Sequence, residues 1–135
     1  MRFLSRSAEK PANLLNYESA KVIASKVLPG VKFAIQRMSF GRRVDLCQLI
    51  RQIAPKLEFL EAGSEFGERV EANLLGQEIE NLYLRWGLAG VEGMLIDGQP
   101  VSADLLIAKG PEALSKEIVA AIQAECGLTE EERKN

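Results

Sequence analysis

The sequence predicts an α+β fold. It places a β-hairpin over about residues 20–38, a mainly helical body after it, and a small second hairpin over about 91–101. Three observations lead there. Apolar residues alternate after a Pro-Gly pair, they recur every three or four positions from Leu46 onward, and an Asp-Gly pair stands between two apolar runs near residue 97.

Residues 1–16 mix charge, Ser5, Ser7, Pro11 and Asn13 with little periodicity, and are expected to form a flexible arm ahead of a single domain over 17–135. Val22, Ile23 and Val27 form a β-branched run, and Pro29-Gly30 signals a turn. Val31, Phe33 and Ile35 then alternate with Lys32, Ala34 and Gln36, which is the pattern of a strand with one buried face. Only this second strand alternates cleanly. Ser39 fits the N-cap of a helix over about 41–61, whose stripe is Leu46, Ile50, Ile53, Leu57 and Leu60, widened by Leu49. Pro55 must kink or break it after about residue 54, because proline lacks the backbone donor and clashes one turn back. Ala62-Gly63-Ser64 ends the segment.

The longest helix is expected over about 65–88, with Val70, Leu74, Leu75, Ile79, Leu82, Tyr83 and Trp86 at helical spacing. Glu65, Glu68, Glu71, Glu78 and Glu80 occupy its polar side as a solvated face, and Gly76 suggests a close helix crossing. Asp97-Gly98 is a strong hairpin turn, and Pro100 confines the return strand to an edge. Ser102 can cap a short helix through Ala108. Pro111 opens a last helix over about 111–126 with Leu114, Ile118, Val119 and Ile122 inward, and Gly127 is its stop. Thr129 through Glu132 fits a further capping box.

Charge is divided unevenly along the chain. Residues 1–56 hold eleven Lys and Arg against three acids, a net of +8, while residues 57–135 hold six against sixteen, a net of −10. A chain polarised in this way either folds one half over the other or presents two different surfaces. Its 135 residues, 47% hydrophobic and 27% charged, are ordinary for one soluble domain. No apolar run approaches the roughly 20 residues of a membrane span, and the opening residues lack a secretory apolar core. A cytoplasmic protein with no membrane partner is expected. Cys47 and Cys126 read as small apolar residues in a reducing compartment, with a regulatory disulfide as the alternative.

No catalytic or metal-ligating constellation stands out. The chain has no His, which removes the commonest general base and the His-activated nucleophiles. Gly90-Val91-Glu92-Gly93 lacks the Lys-Ser/Thr of a phosphate loop and runs into a strand. No enzyme, cofactor or metal is expected. Surfaces carry more promise. Arg37, Arg42, Arg43, Arg51 and Lys56 can group near the end of the hairpin, where they could meet phosphates, pair with the acidic long helix, or stay solvated. Leu82-Tyr83-Leu84-Arg85-Trp86-Gly87-Leu88 is the densest apolar stretch, suited to the core or to a partner interface, where Tyr, Trp and Arg are enriched. Arg37, Arg42, Arg43, Tyr83, Arg85 and Trp86 are therefore the candidate protein-contact residues.

Phe33-Ala34-Ile35-Gln36-Arg37-Met38-Ser39 with Gly41-Arg42-Arg43 is one of several phrases with a familiar layout. The others are Leu57-Glu58-Phe59-Leu60-Glu61-Ala62, Leu84-Arg85-Trp86-Gly87-Leu88, Ile96-Asp97-Gly98-Gln99-Pro100, and the end from Glu125 to Asn135. Over about residues 30–135 their order resembles the tail assembly chaperones of long-tailed phages and prophages. That resemblance implies a small α+β domain that binds the tape-measure protein and helps polymerise the tail tube. It also implies that a longer, frameshifted form could exist. The expected function is thus a non-enzymatic assembly factor with a protein partner, itself oligomeric. The alternative is a small regulatory or nucleic-acid-binding module using Arg37, Arg42, Arg43 and Arg51. Nucleic acid is disfavoured because the chain is acidic overall and its aromatics fall mostly at core spacing.

Overall fold

The computed structural model describes residues 13–63 and 65–127, and the fold is α+β. Residues 1–12 of the expected arm and the capping box at 129–132 lie outside the described residues. β1 (Ala20–Ala24) and β2 (Lys32–Gln36) form the N-terminal hairpin, antiparallel with Ala20 opposite Gln36 and Ala24 opposite Lys32. Phe33 and Ile35 point inward and are almost fully buried. β1 is an edge strand, so Val22 stays exposed while Ile23 leans on the core; this is why its sequence alternates poorly.

α1 (Phe40–Arg51) starts at Ser39, whose hydroxyl accepts the Arg42 amide at 3.2 Å. The helix stops ahead of Pro55, and α2 (Ala54–Glu61) restarts with the proline in its first turn, where its missing donor costs nothing. α3 (Phe66–Gly87) is the longest helix, 22 residues or about 33 Å at 1.5 Å per residue. It passes straight into β3 (Leu88–Glu92), which adds to the hairpin as a third strand in the order β1-β2-β3. Residues 91–92 therefore belong to the first sheet. The second hairpin is shorter than the expected 91–101: β4 (Leu95–Ile96) and β5 (Gln99–Pro100), around Asp97-Gly98 with both turn residues at positive φ. α4 (Ala103–Lys109), capped by Ser102, and α5 (Glu112–Cys126), ending at Gly127, complete the described chain.

One cluster of buried side chains joins these elements. It includes Phe33 and Ile35 of β2, Leu46 and Ile50 of α1, Ile79, Tyr83 and Leu84 of α3, Leu106 of α4, and Leu114, Ile118, Ile122 and Cys126 of α5. α5 packs on both β2 and α3. Two carboxylates on α5 hold the hairpin in place. Glu117 accepts the Ser25 hydroxyl and the Lys26 amide, each at 2.7 Å, and Ser25 Oγ in turn accepts the Val27 and Leu28 amides. Glu125 accepts the Met38 amide at 3.2 Å and pairs with Lys21. The close helix crossing sits at Gly87, where a Cβ would come within 2.7 Å of Ile122; Gly76 has open space around it.

Candidate functional site

Arg42 is the side chain that organises the surface around the long helix. Its guanidinium carbon lies 4.0 Å from the centre of the Trp86 ring, and Nη2 donates to the Trp86 carbonyl. That oxygen belongs to the last turn of α3, where carbonyls lack intrahelical partners and the helix dipole favours a cation. One arginine therefore stacks on the indole and caps the backbone beneath it. The start of α1 is tied to the end of α3, and Trp86 is held in a defined position.

Beside this pair runs a mostly apolar groove of about 480 Å³ between α1 and α3. Leu49 and Ile53 form one wall, Leu82 and Trp86 the other, with Glu78, Asn81 and Arg85 along the rim. Arg85 also meets Asp104 of α4 at 2.8 Å, an exposed pair worth roughly 0.2–1 kcal/mol.

The six candidate contact residues separate into three places. Arg42, Arg85 and Trp86 gather at the groove. Arg37 lies at the end of β2, where its guanidinium sits 5.9 Å from the Tyr17 ring. Arg43 is on the outer side of α1. Tyr83 corrects the expectation of a surface role: it is fully buried, because position 83 falls on the helix face turned toward β2 and α5.

The aromatics also depart from core spacing. Phe40, Phe59 and Phe66 are 95%, 72% and 76% exposed, and Val70 and Leu74 are exposed as well. α2, α4 and α5 all pack on α3, yet Phe66, Val70 and Leu74 in its first half stay exposed. A helical stripe read from the sequence has no means of showing where its cover ends. The outer side of α1 forms a second shallow groove of about 520 Å³, lined by Phe40, Arg43, Val44, Cys47, Gln48 and Arg51.

Burial raises the Cys126 thiol to about 11, and both cysteines are free. Among the described residues no cluster of three or more metal-ligating side chains forms, and no helix is long and apolar enough to cross a membrane. The chain matches no family model, no curated protein and no solved structure.

Proposed function

We propose that this protein is a non-enzymatic, protein-binding assembly factor, of the kind represented by the phage tail assembly chaperones it resembles. It works in the cytoplasm and takes an amphipathic segment of a tail or tape-measure protein into the Trp86 groove. The observation that carries this reading is the Arg42–Trp86 stack beside an open apolar groove. A pre-positioned Trp flanked by Leu49 and Leu82, with Glu78, Asn81 and Arg85 at the rim, has the make-up of an interface hot spot inside a polar border.

The test is co-purification. A tagged chain is co-expressed with the tape-measure protein encoded beside its gene, and the wild type is expected to co-elute. Leu49→Asp, which puts a charge on the groove wall at a partly exposed position, is expected to abolish co-elution with no change in far-UV circular dichroism. A wild type that fails to co-elute, or a gene neighbourhood made of metabolic enzymes, would sink the proposal.

The nucleic-acid reading is weaker. Arg42 is engaged by Trp86, which leaves Arg43 and Arg51 as the exposed arginines of α1. Salt-dependent retention on DNA or RNA, lost in Arg42→Ala with Arg43→Ala, would favour it.

A further inference from the structure

Among the described residues a single ion pair, Lys21–Glu125, joins the basic half of the chain to the acidic half. Among the described residues the ion pairs are Lys21–Glu125, Arg85–Asp104, Lys109–Asp97 and Lys116–Glu80. None joins the arginines of α1 to the acids of α2 and α3. Each of these regions also carries uncovered apolar surface. At 100° per residue, Phe40, Val44, Cys47 and Arg51 lie within about 60° of one another on α1. Their mean direction lies about 110° from that of Leu46 and Ile50, which face the core, and exposed Arg43 stands at the edge between the two sides. On α3, Phe66, Val70 and Leu74 continue the face that Leu84 buries further along, and Phe59 is exposed on neighbouring α2. Exposed Glu71 and Arg69 border that stripe on its two sides, and Glu65 is exposed at the start of the helix, so acids outnumber the one arginine there.

We propose that these surfaces bind each other between copies of this chain, the outer face of α1 of one molecule docking on the α2–α3 tip of the next. Charge complementarity identifies the occupant. An apolar stripe with Arg43 and Arg51 is matched by an apolar stripe at whose end the exposed Glu65 and Glu71 outnumber Arg69, and both are present on every copy. Neither patch is self-complementary, since each would bring like charges together, so a two-fold dimer through either one is disfavoured. The contact is head-to-tail, and it extends into open chains unless its rotation closes a ring. It uses neither wall of the Trp86 groove, so it goes beyond the partner proposal and leaves that groove available along the assembly.

Charge reversal on the full-length chain, read by sedimentation velocity at low salt, tests the contact. Arg43→Glu with Arg51→Glu makes both surfaces acidic; Glu65→Lys with Glu71→Lys makes both basic. The wild type is expected to self-associate, and each variant alone to do so about tenfold more weakly or less, the equivalent of losing roughly 1.4 kcal/mol. An equimolar mixture of the two variants is expected to restore assembly, because each then offers the surface the other lacks. Unfolded variants would fail to do this. A wild type that stays monomeric, variants that assemble unimpaired, or a mixture that remains dissociated would each overturn the proposal. So would a monomeric wild type retained on DNA through Arg43 and Arg51. Leu49→Asp is expected to leave assembly intact, which separates this result from failure of the partner reading.

Discussion

Gly93 shows how much a single position can decide. Its φ is +90°, and a Cβ placed there would lie 2.4 Å from the Gly30 carbonyl oxygen. The end of β3 and the turn of the first hairpin can approach only because no side chain intervenes. Gly93→Ala is expected to cost about 1–3 kcal/mol, measured by urea unfolding. The two thiols differ equally clearly. Cys126 is fully buried with its pKa raised to about 11 by burial, whereas Cys47 reaches the surface of α1. Ellman titration of the native protein at pH 8 is expected to find Cys47 promptly and Cys126 only after denaturant is added. Tyr83 and Phe40 mark the limit of reading at this scale. Both are aromatics near helix ends, yet one is enclosed and the other almost bare, because their surroundings come from segments distant in sequence.

At the scale of elements, the hairpin is fastened to α5 by Glu117. Burial acts to raise this carboxyl's pKa, but the Lys26 amide, the Ser25 hydroxyl, the Val27 amide and the Lys26 charge outweigh it, and the net shift is downward from 4.5. A carboxylate with a lowered folded pKa adds stability above its unfolded value and loses it as pH falls through the folded one. The wild type is therefore expected to be more stable than Glu117→Gln near neutral pH, and the gap to close as pH drops below 4.5. Thermal melts from pH 7 to pH 3 check this. Most elements were legible in the sequence because their signals are local: Ser39 and Ser102 as caps, Pro55 as a break, Asp97-Gly98 as a turn and Gly127 as a stop. β3 is not legible in the sequence because Leu88–Glu92 lacks a clean alternation, and it becomes a strand by pairing with β2, more than fifty residues earlier.

For the whole molecule, the charge split lies across its surfaces. If α1 and the α2–α3 tip meet between copies, light scattering is expected to show assembly that weakens as ionic strength rises from about 0.05 to 0.5 M, since exposed charges are screened over a shortening Debye length. Assembly unaffected by salt would place its energy in the apolar stripes alone. Half of the Trp86 groove is visible in the sequence. Arg85-Trp86 stood out as a dense apolar and basic stretch, but its pairing with Arg42, 44 positions away in the chain, was not readable from spacing.

The α+β class, the helices and their stops, and the opposed charges of the two halves are written in neighbouring residues and can be read from the chain alone. Which apolar stripes are covered, the joining of β3 to the first sheet, and the reach of Arg42 to Trp86 are set by long-range packing. Those depend on where one segment ends relative to another. Helical periodicity records that a face is apolar, and the length and placement of its neighbours decide whether that face becomes core or interface.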